Sequence, residues 1–120
     1  MEQNRCPGCM EIKSGTMCEH CGYDERKQNV SHQLQTGTVL LGKYLIGRVL
    51  GQGSFGITYL GWNRYLNMKV AIKECFPCHF ASRSGQYGVQ AYNGGEKIFE
   101  EIKTRFSKET KNPVEWVATL

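Results

Sequence analysis

Three groups of residues have types and spacings that do chemistry. Gly51-Gln52-Gly53-Ser54-Phe55-Gly56 is a glycine-rich run, and Lys73 follows Gly56 by seventeen positions at the end of Val-Ala-Ile-Lys. Glycines let backbone N–H groups approach phosphate oxygens with no Cβ in the way, and the lysine adds a positive charge to the same anion. The chemistry expected is therefore the holding of a phosphorylated nucleotide. Cys6-Pro7-Gly8-Cys9 and Cys18-Glu19-His20-Cys21-Gly22 are two Cys-x-x-Cys knuckles. Each places two thiolates on a tight turn, so that four sulfurs can meet tetrahedrally around a structural Zn²⁺. Eight residues separate Cys9 from Cys18, against about fifteen to twenty in larger ribbons. His20 is a further donor inside a knuckle, but Cys6, Cys9, Cys18 and Cys21 already complete the ligand set.

The third group, Cys75-Phe76-Pro77-Cys78-His79, has the spacing of covalent haem attachment. That reaction takes place outside the cytosol, and residues 1–10 hold no apolar signal segment. A cytoplasmic, reducing location is expected, which also disfavours disulfides. Cys75 and Cys78 then read as two loop cysteines, with a redox-active dithiol as the alternative.

Three strands must position the loop and the lysine. Residues 44–50 predict a strand into the loop, 57–61 a strand out of it, and 68–75 a third strand carrying Lys73. This order differs from the dinucleotide fingerprint, which opens a helix after its glycines, and from the P-loop, which ends in Gly-Lys-Ser/Thr. From Glu96 the period changes. Phe99, Ile102 and Phe106 recur at helical spacing, with Glu100, Glu101, Lys103, Arg105 and Lys108 interspersed. Residues 25–37 are polar with almost nothing to bury and predict a linker, and residues 81–95 read as a long polar connection.

Residues 41–77, and more loosely those up to 111, resemble the start of the small lobe of eukaryotic-like protein serine/threonine kinases. The likeness is strongest to bacterial ones that read Gly-x-Gly-x-Phe-Gly-Ile-Thr-Tyr-Leu and then Val-Ala-Ile-Lys-Glu. The cysteine pattern resembles the short zinc ribbons at the termini of bacterial proteins. Together these imply an α+β chain: a zinc ribbon at 1–24, a linker at 25–37, an incomplete small lobe of antiparallel strands and one αC-like helix at 38–112, and a divergent tail at 113–120. The resemblance further implies that Gly51, Gly53 and Gly56 cover the phosphates of ATP, with Gln52, Ser54 and Phe55 in the same loop. It implies that Lys73 contacts the α/β-phosphates and pairs with a helix glutamate, and that Mg²⁺ accompanies the nucleotide. Val49 or Leu50, together with Thr58 and Ala71, would line the adenine slot. Thr58 stands where the commonest pattern has valine, and its methyl can still pack on the base. Arg105-Phe106-Ser107-Lys108-Glu109 resembles the family's Arg-Phe-x-x-Glu-Ala, which implies Glu109 as the partner of Lys73. Glu100 and Glu101 are the alternatives, at a separation more common in other kinases.

The departures from that family are equally specific. No aspartate follows Asp24, whereas kinase-type phosphoryl transfer uses one aspartate beside the attacking hydroxyl and another on Mg²⁺. The chain by itself is therefore expected to be an ATP-binding small-lobe fragment without catalytic competence. The alternative is a non-catalytic zinc-ribbon adaptor, its lobe vestigial or docked on a full kinase; neither reading names the protein substrate. After Asn112 the resemblance stops. Pro113 removes a backbone donor and biases Asn112 out of the helical region, so residues 113–120 are expected to be foreign to the family, the mark of truncation or a frame shift. Without the family's next strands, the 68–75 strand is expected to keep an open edge through which the chain self-associates.

Charge and hydropathy bound the partners. Residues 1–24 carry two basic and four acidic side chains, the rest thirteen and seven. The excess of positive charge is dispersed, and an acidic ribbon argues against nucleic acid as partner. No run of eighteen apolar residues exists, so no membrane segment is expected.

Overall fold

Two tight turns, one rich in glycine and one capped by an asparagine, fold the apolar middle of the chain into a meander. The computed structural model describes residues 5–12, 15–24, 26–40, 42–54, 56–85, 88–110 and 115–119, with side chains through residue 102 and at 104. Strand β1 is Val39–Leu40, β2 Tyr44–Gln52, β3 Gly56–Asn63 and β4 Met68–Cys75. At the β3–β4 turn, Asn63 Oδ1 accepts the N–H groups of Tyr65 and Leu66, and Asn67 takes a left-handed φ of 52°. Asparagine is the side chain that tolerates both tasks. A short hairpin, β5 (Ala81–Ser84) and β6 (Gly88–Ala91), precedes helix α1 (Glu96–Thr110) and strand β7 (Glu115–Thr119). The main sheet is antiparallel in the order β1-β2-β3-β4-β7. Among the described residues the fold is thus mostly β, with one helix that buries Phe99 and lies against β4 and β7.

Residues paired directly across an antiparallel ladder share a face. The register Ile57↔Glu74, Tyr59↔Ile72 and Gly61↔Val70 puts these on one side, with Gln52 opposite Ile57 and Ile46 opposite Gly61. The core lies on this side: Leu34, Ile46, Ile57, Tyr59, Val70, Ile72 and Phe76 form one buried cluster. The other side carries Thr58↔Lys73, Leu60↔Ala71 and Trp62↔Lys69, with Gly51 opposite Thr58.

The structure departs from the sequence-based expectations at three places. Residues 26–37 do not merely span. They lie on the sheet as an arm, and Leu34, 1% exposed, enters the core. One leucine among polar neighbours gives no periodic signal, yet its burial contributes about 1.5–3 kcal/mol. The connection over 81–95 holds the β5–β6 hairpin, whose Val89 packs against the same core. The expected open edge on Met68–Cys75 is closed: β7 pairs along it from Val70↔Thr119 to Glu74↔Glu115. Self-association through that edge is therefore corrected. The tail forms a strand because the edge of β4 offers it a ladder of backbone partners.

Candidate functional site

The two knuckles fold by the same local rules. In the first, Cys6 Sγ accepts the Gly8 N–H at 3.3 Å, and in the second Cys18 Sγ accepts the His20 N–H at 3.3 Å. Four residues after the leading cysteine, each chain turns through a left-handed residue, Met10 (φ 65°) and Gly22 (φ 77°). The result gathers Cys6, Cys9, Cys18 and Cys21 so that their sulfurs lie within 4.8 Å of one another. Cys6 Sγ to Cys21 Sγ and Cys9 Sγ to Cys18 Sγ are both 3.7 Å. A regular tetrahedron with Zn–S bonds of about 2.3 Å has edges of about 3.8 Å, so the four sulfurs fit that ion. His20 is not part of the cluster. Burial pushes the Cys9 thiol up to about 12, and its sulfur neighbours add to the shift. At Cys18 desolvation is outweighed by the backbone N–H groups of Cys21 and His20, which bring it down to about 6. Four thiols packed this closely, two of them buried, form a site whose charge a divalent cation can balance.

The cysteine module sits on the Lys73 side of the sheet, at the end away from the glycine loop. Pro7 carbonyl oxygen accepts the Arg48 N–H at 2.9 Å, and Gly8 carbonyl oxygen accepts Arg48 Nε at 2.9 Å. Met10 is fully buried against Gly47, where a Cβ would stand 2.6 Å from Met10 Cε and 2.5 Å from the Pro7 oxygen. Only glycine leaves that notch open. The Arg5 guanidinium lies 3.6 Å above the Trp62 ring, and Lys69 pairs with Glu11 at 3.5 Å.

At the other end of this side stands the glycine loop. The Gly53 N–H donates to the Gly56 carbonyl oxygen at 2.9 Å, closing a tight turn between β2 and β3. Positions where Gly51 and Gly53 would carry a Cβ have no heavy atom within 4 Å, so the approach to their backbone is open. Gly56 is constrained instead. Its Cβ would lie 2.9 Å from the Glu74 carbonyl oxygen and 3.3 Å from Lys73 Cε. The lysine stem therefore runs beneath the loop, held there by the Thr58↔Lys73 register. Ala71 is buried and Thr58 half-buried on the same side, Val49 packs partly into the core, and Leu50 is exposed. Gln52 and Ser54 are exposed on the loop. Phe55 lies outside the described residues, and so does the side chain of Glu109, although its backbone belongs to α1. Among the described residues no carboxylate pairs with Lys73, and Glu100 and Glu101 are exposed. Cys75 is buried at the end of β4, and Cys78 Sγ donates to the Ser54 carbonyl oxygen at 3.8 Å.

Behind the loop, on the Tyr59 side, lies a polar network that no sequence motif announced. Arg83 grips Glu74 bidentately, Nη1 to Oε2 and Nη2 to Oε1 at 2.7 Å each, with both side chains 9% exposed. The Tyr59 hydroxyl donates to Glu74 Oε1 at 2.9 Å and accepts the Leu34 N–H at 3.0 Å. Arg83 Nε reaches the His32 carbonyl oxygen at 2.9 Å, and its guanidinium lies over Phe76 at 4.9 Å. Burial works against the Arg83 charge, but the Glu74 carboxylate outweighs it and raises the guanidinium further. Burial and then the Glu74 charge raise the Tyr59 phenol well above its usual range. The only sequence hint was Glu74 itself, an acid at an inward position of a strand that otherwise buries valine and isoleucine.

With this geometry in place, the chain is similar in structure to PpkA-294 in its apo form. PpkA is a bacterial serine/threonine kinase. The TM-score is 0.61 at 28% sequence identity, over 66% of this chain and 28% of that one. This chain thus spans a little over a quarter of its neighbour's length. Part of it is built like part of a kinase. No protein-family model and no curated protein matches the chain. Among the described residues, no helix is long and apolar enough to cross a membrane.

Proposed function

We propose that residues 38–119 are the nucleotide-holding small lobe of a protein serine/threonine kinase, carrying a zinc ribbon at 1–24 that braces the lobe through the 25–37 arm and the Gly47 notch. The observation that carries this reading is the Lys73 stem running beneath Gly56 while the backbone at Gly51 and Gly53 stays open. A phosphate approaching the loop over its open glycines meets the lysine charge from beneath it. Thr58, Ala71 and Leu50 would border the base, whereas Val49, paired with Tyr59, faces the core instead. Mg²⁺ would accompany ATP, and Glu109 would pair with Lys73. The two aspartates that kinase chemistry uses do not occur after Asp24, so transfer to a protein hydroxyl would need residues from elsewhere. Four thiols poised for a metal suit a reducing, cytoplasmic setting.

Titration with a fluorescent ATP analogue in Mg²⁺ tests the reading. Saturable binding that Lys73→Met removes is the expected result, with no phosphate transfer to generic protein substrates above the same control. Absence of binding by the zinc-loaded, folded chain would overturn it. A second reading, an adaptor without nucleotide affinity, is favoured by the apolar side chains that the cysteine module exposes, Ile12 at 46% and Met17 at 59%. A stable protein complex formed by a chain that ignores ATP would select it.

A further inference from the structure

The glycine loop is held from behind. Gln52, the residue between Gly51 and Gly53, stands opposite Ile57 in the β2–β3 register, so its side chain leaves on the Tyr59 side, away from Lys73. There it meets the arm. Gln52 Oε1 accepts Gln33 Nε2 at 3.0 Å and lies 2.9 Å from His32 Nε2. The orientations follow from one fixed point: the Val30 N–H donates to Gln33 Oε1 at 3.0 Å. That leaves the Gln33 nitrogen facing Gln52, so Gln52 presents its oxygen and His32 Nε2 carries the hydrogen.

The arm is a rigid anchor. Leu34 is buried in the core and its N–H is held by Tyr59, while Arg83 Nε binds the His32 carbonyl oxygen. Asn29 Nδ2 donates to the Leu34 and Gly47 carbonyl oxygens at 2.7 and 3.1 Å. The His32 ring packs 5.7 Å from Phe76. Together these tie the arm to β2, β3 and β5 and to Phe76 just after β4, away from the side of the sheet where a phosphate would lie.

The geometry points to His32 and Gln33 as positioning residues that set the glycine loop through Gln52. This inference rests on the nucleotide reading given above and deepens it. Glycines at 51 and 53 leave the backbone many conformations, and ordering them costs conformational entropy. A loop that is competent only part of the time binds with an affinity lowered by that fraction. Pinning the middle residue from the far side narrows the ensemble without placing any side chain in the phosphate's way. The position of the arm thereby reaches the ligand site without contacting ligand.

Amide hydrogen exchange on the full zinc-loaded chain tests this independently of nucleotide. With His32→Ala combined with Gln33→Ala, exchange at Gly53, Ser54 and Gly56 should rise about three- to tenfold, the range expected for two exposed hydrogen bonds. Gln52→Ala should do the same, whereas Gln52→Glu, which keeps the oxygen acceptor, should stay near wild type. Exchange at Val70 and Ile72 should not move. Where the wild type binds the ATP analogue, the His32/Gln33 double variant should bind it more weakly by a similar factor. Unchanged loop exchange, or an equal rise at Val70 and Ile72, would overturn the proposal, as would unchanged affinity beside a loosened loop. A wild type that fails to bind ATP while the loop loosens as expected would sink the nucleotide reading and leave the anchor standing.

Discussion

The two sides of the central sheet solve opposite problems with the same strands. On the Tyr59 side every inward polar atom of Tyr59, Glu74 and Arg83 is matched, and the surroundings are Leu34, Ile57, Ile72 and Phe76. On the Lys73 side a charged amine is left without a carboxylate among the described residues, beneath a loop whose Gly51 and Gly53 face open space. Strand alternation makes this division cheap, since Lys73 and Glu74 are neighbours in sequence and lie on opposite faces. One side can be satisfied by the protein and the other left to a ligand. Stability and binding should then separate by face, and substitutions can break or sharpen that separation.

The largest effect should come from the metal expected among Cys6, Cys9, Cys18 and Cys21, whose module covers part of the Lys73 side. Elemental analysis should find one Zn²⁺ per chain, and Cys18→Ser or a strong chelator should release it. Structural zinc in small peptides is worth about 10–16 kcal/mol of apparent binding free energy. Its loss should unfold the knuckles and, through Met10 and Arg48, lower the Tm of the strands as well. A reduced, metal-free chain with an unchanged Tm would refute the assignment and the brace together.

Next comes the buried ion pair. Arg83→Met leaves the Glu74 charge without its cationic partner, with only the Tyr59 hydroxyl beside it, and should cost about 3–5 kcal/mol in urea denaturation. Glu74→Leu combined with Arg83→Met should recover much of that, because the desolvation penalty vanishes with the charges. Equal losses from the single and the double variant would mean that the pair stabilises the fold outright.

Tyr59→Phe should cost about 1–3 kcal/mol at neutral pH, since the Leu34 N–H and Glu74 each lose a partner. Its pH signature is more distinctive. The folded chain holds the phenolic proton that the unfolded chain gives up near pH ~10. That contribution is whole below pH ~10 and fades as the pH rises towards the higher folded-state value. Stability measured from pH 8 to 11 should fall in the native sequence and fall less in Tyr59→Phe. The smallest effect belongs to Lys73→Met, which should move the denaturation midpoint by no more than about 0.5 kcal/mol. A large loss there would erase the division between the faces.

What the sequence disclosed was whatever repeats or alternates. The third strand was predicted at 68–75 and is observed at Met68–Cys75, and the helix expected from Glu96 starts there. Cys-x-x-Cys twice over led to the four-sulfur cluster, because tight turns and thiolates leave few other arrangements. The arm was illegible because its fixation depends on single residues: Leu34, and Asn29 bonding to Gly47 across eighteen positions. The Glu74–Arg83 pair spans nine positions and crosses from β4 to the hairpin, a distance at which no local pattern exists. β7 was hidden because Glu-Trp-Val-Ala-Thr carries no period-2 pattern and its place depends on the backbone edge of β4.

The notch at Gly47 also governs how the chain can be dissected. A version begun at residue 38, after the polar arm, would look tidy on paper. It would strip the Arg48 N–H of its Pro7 acceptor, uncover the groove that Met10 fills, remove Leu34 from the core and free Gln52. The shortest piece of this protein that keeps its strands as they are is expected to begin before Arg5, with the metal in place.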